Sequence, residues 1–98
     1  MKKKIAILGS TGSIGENLLR IIKKDKKNFE IVLITANRNH NKLFNQAKKF
    51  KVKNLIINDK KSYELLKNKA KKSNINIYNN YSNYKKIFRK KIDYVMSS

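Results

Sequence analysis

The chain is 98 residues long and carries 25 lysines and arginines against six acidic residues, which gives a formal net charge of +19. It has no cysteine and one histidine, which excludes a disulfide framework, a thiolate zinc site and a His-rich metal site. Its apolar runs are too short for a membrane span or a signal-peptide core, so we expect one small cytoplasmic domain that binds no membrane.

The positive charge raises the hypothesis of a nucleic-acid ligand, because lysine-rich surfaces bind phosphate backbones. Only Arg20, Arg38 and Arg89 are arginines, and the lysines are spread along the whole chain. They do not form one block with aromatic residues between them, as stacking on single strands requires. Lysine, asparagine and isoleucine are also residues of A- and T-rich codons, so the base composition of a genome can produce this charge without a ligand. We therefore expect weak, nonspecific polyanion binding and no specific nucleic-acid partner.

In the first part of the chain, short apolar runs alternate with segments whose apolar residues have helical spacing. Residues 4–8 form an apolar run that ends at Gly9, which predicts a buried strand. A helix follows, and the spacing of Ser13 and Glu16 predicts a capping box at its start. Residues 29–36 are rich in β-branched side chains and predict a second strand. The apolar face of the intervening helix is predicted to consist of Ile14, Leu18, Ile21 and Ile22.

The same alternation continues to the end of the chain. Residues 54–57, 75–78 and 94–96 predict the third, fourth and fifth strands. The helix before the third strand has an apolar face of Leu43, Phe44, Ala47 and Phe50. The helix after it carries Tyr63, Leu66 and Ala70, and a short helix before the fifth strand is predicted from Tyr81, Tyr84, Ile87 and Phe88.

This order predicts an α/β fold with a Rossmann-like parallel sheet and flanking helices. The predicted strands are nearly continuously apolar, as strands buried on both faces are. Because the chain ends directly after the fifth strand, we expect the sheet to be truncated there.

All three glycines of the chain, Gly9, Gly12 and Gly15, fall within seven residues between the first strand and the first helix. Glycines in such a turn let backbone N–H groups approach a pyrophosphate at the positive end of the helix dipole. The spacing G-x-x-G-x-x-G is a relative of the dinucleotide motif found in NADP enzymes. A Walker A loop is excluded because Glu16 follows Gly15. A turn that merely needs flexibility would account for one or two of these glycines.

The end of the second strand distinguishes between the two nicotinamide cofactors. NAD sites usually carry an acidic residue there for the ribose hydroxyls, whereas NADP sites carry a basic residue for the 2′-phosphate. Here the strand is followed by Asn37, Arg38 and Asn39. The guanidinium of Arg38 suits a phosphate, which favours NADP(H), although a solvated loop arginine is the alternative.

Two segments resemble a known family. "ILGSTGSIG" at 7–15 is similar to the amino-terminal signature of 1-deoxy-D-xylulose 5-phosphate reductoisomerases, and "NFEIVLITANRN" at 28–39 resembles their second strand and cofactor loop. "DYVMSS" at 93–98 resembles a later strand of the family. The resemblance covers the whole of this chain. It corresponds to only about the first quarter of a typical member of the family. It implies that residues 1–98 are the amino-terminal part of an NADP(H)-binding domain, without the catalytic and carboxy-terminal domains.

The resemblance also implies a set of cofactor contacts. In the first turn they fall on Thr11, Gly12, Ser13 and Ile14, and in the second loop on Asn37, Arg38 and Asn39. Asn37 stands where many members have glycine. NADPH is therefore the expected cofactor.

The same resemblance implies that the catalytic chemistry lies outside this chain. The family uses a divalent cation, Mg²⁺ or Mn²⁺, held by carboxylates that would follow residue 98, together with groups that hold a sugar-phosphate substrate. The six acidic residues here are scattered, and His40 is expected to be solvated, so we assign no catalytic and no metal-binding residue. The full-length enzyme is expected to be a homodimer and to convert 1-deoxy-D-xylulose 5-phosphate to 2-C-methyl-D-erythritol 4-phosphate in the non-mevalonate route to isoprenoid precursors. The chain alone is expected to be inactive.

Two alternatives stay open from the sequence. One is another NADP-dependent reductase or dehydrogenase with the G-x-x-G-x-x-G turn. The other is a module that binds a dinucleotide or a polyanion and has no catalytic activity.

Overall fold

A computed structural model of the chain describes residues 2–25, 27–80 and 92–97. Within these residues the strands and helices alternate as the periodicity predicts. The strands are β1 (Lys3–Leu8), β2 (Phe29–Ala36), β3 (Asn54–Ile57), β4 (Asn76–Tyr78) and β5 (Tyr94–Ser97). The helices are α1 (Ser13–Lys23), α2 (His40–Phe50) and α3 (Lys60–Lys69). The short helix predicted from Tyr81, Tyr84, Ile87 and Phe88 lies outside the described residues.

The five strands form one parallel sheet in the order β4-β3-β2-β1-β5. From β1 the chain adds strands in one direction as far as β4, and β5 then pairs with the other side of β1. In open α/β sheets, ligands bind outside the carboxyl ends of the strands at the place where the order reverses. The carboxyl end of β1 lies at this place.

The core lies between one face of the sheet and the three helices. Ile5 and Ile7 of β1 pack in this cluster with Leu19 of α1, Leu43 of α2 and Leu66 of α3. Ala6, Leu33 and Ile56, each next to a core residue of its own strand, form a smaller buried cluster on the opposite face, because successive side chains of a strand point to opposite sides. The central strands are therefore buried on both faces, as their continuous apolar sequence predicts.

The predicted apolar face of α1 is wrong at two of its four residues. Ile14 and Ile21 are 62% and 64% exposed, and the buried residues of the helix are Gly15, Leu19 and Ile22. Of the predicted face, Ile22 is buried and Leu18 packs against the core in part. The rotation of the helix is set by Gly15, which faces the preceding turn, so the sheet-facing residues are those four and seven positions after Gly15.

The predicted capping box does not form. Gly12, with φ −80° and ψ 173°, is the N-cap of α1, and Ser13 is already the first helical residue. The carbonyl of Gly12 accepts the first helical hydrogen bond from the Glu16 N–H at 2.9 Å. The helix therefore begins one residue earlier than a box of Ser13 and Glu16 requires.

In the described part of the chain, no helix combines the length and the apolar composition that a membrane crossing requires.

Candidate functional site

The three glycines lie in the connection from β1 to α1, which we call the glycine turn (residues 9–15). Gly9 follows β1 directly and has φ 74°, the left-handed region that glycine adopts without steric cost. Its carbonyl accepts a hydrogen bond from the Gly12 N–H at 3.4 Å. Gly9 therefore makes the sharp reversal that brings the start of α1 close to the end of β1.

Gly15 permits close packing of α1 on this reversal. A β-carbon at Gly15 would lie 2.5 Å from the Gly9 carbonyl oxygen and 2.5 Å from the Ser10 α-carbon. Both neighbours belong to the backbone and are held in the turn. Only glycine fits at this contact.

Gly12 differs from the other two glycines because nothing in the described residues requires a glycine there. Its φ of −80° suits any residue, and a β-carbon there would come no nearer than 3.9 Å to the Gly9 carbonyl oxygen. Gly12 is exposed, and no side chain of the described residues caps the helix at this end. The first N–H groups of α1 have no acceptors within the helix. Gly12 thus leaves open space beside a helix end that favours anions.

Buried polar side chains hold the glycine turn from behind. Thr35 of β2 accepts a hydrogen bond from the Gly9 N–H on its Oγ1 at 3.0 Å, and its carbonyl accepts one from the Ser10 N–H at 2.9 Å. Gln46 of α2 accepts from the Ser10 Oγ at 2.7 Å and donates from its Nε2 to the Ser10 carbonyl at 2.9 Å. Thr35 and Ser10 are fully buried, and Gln46 is nearly so.

Sequence reasoning missed Ser10, Thr35 and Gln46. One signal was present for Gln46, since it lies three residues after Leu43 and four before Phe50, on the predicted apolar face of α2. A polar residue on such a face needs a buried partner. The partner, Ser10, lies 36 residues earlier and could not be identified from local periodicity.

The second predicted segment, residues 37–39, follows β2. Because β1 and β2 are parallel neighbours, this segment lies at the same edge of the sheet as the glycine turn. Asn37, Arg38 and Asn39 are exposed. The Asn39 side chain accepts a hydrogen bond from the Lys42 N–H at 3.2 Å, so it is the N-cap of α2.

The loop that follows β3 supports this segment. The Asp59 N–H donates to the Asn37 carbonyl at 2.9 Å, and the Asp59 carboxylate accepts from the side chain and the backbone N–H of Ser62 at 2.7 and 3.0 Å. The Ser62 hydroxyl, the Ser62 N–H and the nearby charge of Arg38 hold the pKa of Asp59 below its usual value. Asp59 therefore links two segments: its backbone N–H holds residues 37–39, and its ionised carboxylate holds the start of α3.

The start of α1 carries one acidic residue, Glu16, whose charge is paired. Its carboxylate lies 2.8 Å from the Lys42 Nζ of α2. The hydrogen bond from Lys42 is the main reason that the pKa of Glu16 lies below its usual value. The acid beside the glycine turn is thus neutralised by a neighbouring lysine.

Catalytic and metal-ligating groups were not expected in this chain. Among the described residues, no three histidine, aspartate or glutamate side chains come together in a way that could hold a metal ion. His40, expected to be solvated, is the first residue of α2 and is partly buried, and its N–H donates to the Arg38 carbonyl at 2.7 Å.

Several lysines lie over aromatic rings of the helices. The ammonium groups of Lys23 and Lys49 are 5.4 and 5.6 Å from the ring centre of Phe50. Lys48 and Lys69 are placed in the same way over Phe44. These distances are those of cation–π contacts, which hold the lysine side chains against the two rings.

Comparison with known proteins identifies the family. A profile of the 1-deoxy-D-xylulose 5-phosphate reductoisomerase family matches residues 5–98. The chain belongs to this family. The reductoisomerase of Pelagibacter ubique is 50% identical over 96 residues, which are 96% of this chain and 25% of that protein. That of Buchnera aphidicola is 43% identical over 74 residues, 76% of this chain and 19% of that protein. The chain thus spans about a quarter of the length of these relatives, or less.

Solved structures of the family share the fold. The 1-deoxy-D-xylulose 5-phosphate reductoisomerase of Zymomonas mobilis in complex with NADPH aligns with 97% of this chain and 25% of its own, with a TM-score of 0.83 and 26% identity. A reductoisomerase in complex with NADPH, fosmidomycin and magnesium aligns with 95% of this chain and 23% of its own, with a TM-score of 0.82 and 26% identity. These alignments confirm the α/β fold with a parallel sheet that the alternating pattern predicts.

Proposed function

We propose that this chain is the amino-terminal part of the NADPH-binding domain of a 1-deoxy-D-xylulose 5-phosphate reductoisomerase. The proposal starts from family membership, and one structural observation carries it further. Gly9 and Gly15 are required by backbone geometry and packing, whereas nothing in the described chain requires Gly12. A glycine without an internal reason, at an exposed helix start, is what the close approach of a phosphate group calls for.

The residues of the glycine turn bind the pyrophosphate in this proposal. The backbone of Thr11, Gly12, Ser13 and Ile14 lies where the chain enters α1, and the positive end of the helix dipole favours an anion there. The exposed side chain of Ile14 has no place in the core and is available to cover the bound cofactor.

The loop after β2 gives the preference for NADP(H). Arg38 is exposed at the same sheet edge as the glycine turn, and neither Asn37 nor Asn39 is acidic. A planar guanidinium binds a phosphate in a bidentate manner, and the position carries no carboxylate for the ribose hydroxyls of NAD(H). Asn39 contributes through its cap of α2, which fixes the end of the loop.

The remaining parts of the reaction are assigned to the rest of the protein. Bound NADPH supplies the hydride for the reduction step. The divalent cation, the sugar-phosphate site and the catalytic residues lie outside residues 1–98, so the chain alone is inactive, and the full-length protein is a cytoplasmic homodimer. The role of this chain is to hold and orient the cofactor.

The experiment is an activity assay with the protein expressed from its complete gene. We expect 1-deoxy-D-xylulose 5-phosphate and Mg²⁺ or Mn²⁺ to cause oxidation of NADPH, with 2-C-methyl-D-erythritol 4-phosphate as product, and residues 1–98 alone to cause none. Family membership argues against the alternative of another NADP-dependent reductase. Binding of NADPH by the complete protein without any turnover would favour the non-catalytic module and contradict the proposal.

A further inference from the structure

The carboxamide of Gln46 is buried behind the glycine turn, and both hydrogen bonds that the structure gives it go to Ser10. Its Oε1 accepts from the Ser10 hydroxyl at 2.7 Å, and its Nε2 donates to the Ser10 carbonyl at 2.9 Å. Gln46 is 7% exposed and Ser10 is 0% exposed. A buried amide is costly unless it is bonded, so this position on α2 is committed to one residue of the turn.

The bond to the Ser10 carbonyl determines where the next N–H group points. The Ser10 carbonyl and the Thr11 N–H belong to one planar peptide unit, and no peptide bond of the described residues is cis. In a trans peptide the C=O and the N–H point in opposite directions. When Nε2 of Gln46 draws the carbonyl toward α2, the Thr11 N–H is turned away from α2, toward the open side of the turn.

We propose that Gln46 is a positioning residue of the cofactor site, which fixes the Ser10–Thr11 peptide plane so that the Thr11 N–H faces the anion. This inference rests on the proposed function. Thr35 fixes the two preceding N–H groups, because it accepts hydrogen bonds from the N–H groups of Gly9 and Ser10 inside the fold. The N–H groups of Gly9 and Ser10 are therefore bonded inward and that of Gly12 is bonded to the Gly9 carbonyl, whereas the Ser10–Thr11 peptide plane turns the Thr11 N–H outward.

Substitution of Gln46 by glutamate separates positioning from packing. Glutamate has the same shape, but its carboxylate has no donor for the Ser10 carbonyl, so the peptide plane is released and two oxygens face each other. Protonation restores one O–H donor. The charged groups that line the groove around Gln46 are Glu16, Arg20, Lys42 and Lys49, of which Glu16 and Lys42 form a pair, while its partner Ser10 and the neighbouring Thr35 do not titrate in this range. Burial favours the neutral acid, and the lysines favour the carboxylate.

The test is the affinity for NADP⁺, measured by titration calorimetry with the complete protein at temperatures where each variant is folded. NADP⁺ is used because NADPH decomposes in acid. At about pH 8 we expect the Kd of Gln46→Glu to be on the order of tenfold higher than that of the unmutated protein. Wherever the acid takes up a proton as the pH falls, the O–H donor is restored and the ratio of the two Kd values should decrease. Gln46→Met, which has no donor at any pH, should show a similar loss that does not vary with pH.

Two variants serve as matched controls. Asn54→Asp removes a carboxamide that donates to the Val32 carbonyl at 3.0 Å, a comparable bond away from the glycine turn. It should lower the melting temperature and leave the Kd unchanged. Asn45→Asp places a new carboxylate on the exposed neighbour of Gln46 and should leave the Kd nearly unchanged.

The outcomes separate this inference from the proposed function. If the unmutated protein does not bind NADP⁺, the proposed function fails. If the unmutated protein binds NADP⁺ and both Gln46 variants bind it with the same Kd as the unmutated protein, Gln46 is a structural residue and the inference is overturned. The same holds if Asn54→Asp weakens binding as much as the Gln46 variants do. Should Gln46→Glu not fold, Gln46→Met decides between these outcomes by its Kd alone.

Discussion

Gly15 lies so close to Ser10 that a β-carbon at Gly15 would come within 2.5 Å of the Ser10 α-carbon. Ser10 cannot retreat, because its N–H is bonded to Thr35 and its carbonyl and hydroxyl to Gln46. The start of α1 therefore contacts the end of β1 through Gly15, which has no side chain. Gly15 packs against Ser10, which β2 and α2 hold in place.

This contact predicts that Gly15→Ala destabilises the protein. The added methyl group meets backbone atoms on a turn that is bonded from behind, so the helix or the turn must shift. We expect the free energy of unfolding to fall by about 1–3 kcal/mol, as in other overpacked sites. Chemical denaturation of the complete protein measures the change. An alanine variant with unchanged stability would show that the turn can yield.

Arg38 is predicted to set the cofactor preference. We expect the unmutated protein to bind NADPH more tightly than NADH, and Arg38→Glu to reverse the order, because a carboxylate repels the 2′-phosphate and accepts from the ribose hydroxyls. Arg38→Ala is the control, since it should weaken NADPH binding without improving that of NADH. Titration of each variant with both cofactors gives the answer, and equal affinities in the unmutated protein would contradict the assignment.

Asp59 is predicted to stabilise the fold only while it is ionised. Its pKa in the folded protein is lowered, first by the hydrogen bond from the Ser62 hydroxyl and then by the Ser62 N–H and the charge of Arg38. A lowered folded pKa means that the stabilisation is present above the unfolded pKa of about 3.9 and is lost as the pH falls through the folded value. The melting temperature of the unmutated protein should therefore exceed that of Asp59→Asn at neutral pH.

The pH dependence of that difference is the critical part of the measurement. Asparagine can still cap α3 but does not titrate, so the difference should be constant from about pH 7 to about pH 5 and shrink below about pH 4. A difference that persists unchanged into acid would show that the carboxylate charge contributes nothing.

Much of the architecture follows from the sequence because the strands are buried on both faces and appear as short apolar runs. The predicted bounds of β2 and β3 match the structure, and those of β1, β4 and β5 differ by one residue at one end. The edge of the sheet that carries the candidate site was predictable for the same reason. Once β1 and β2 are parallel neighbours, the segments that follow them must lie side by side.

The errors arise where tertiary contacts override local pattern. Ile14 and Ile21 fit an apolar helical face, but the contact of Gly15 with the turn rotates that face toward Leu19 and Ile22. Gln46 was missed because its partner is distant in sequence. Helical periodicity gives the spacing of a face but not its orientation, and hydrogen bonds between separate elements leave no local pattern.

Phosphate binding beside Gly12 is tested by comparing Gly12→Ala with the unmutated protein in NADPH titration and in unfolding. A β-carbon at Gly12 meets no atom of the described chain closer than 3.9 Å. We expect the free energy of unfolding to change by less than about 1 kcal/mol, since a weaker N-cap offsets the lower entropy of the unfolded chain. The Kd for NADPH should rise by at least roughly tenfold, because the methyl group occupies the space of the phosphate. A Gly12→Ala variant that binds NADPH as tightly as the unmutated protein would show that no phosphate lies beside Gly12.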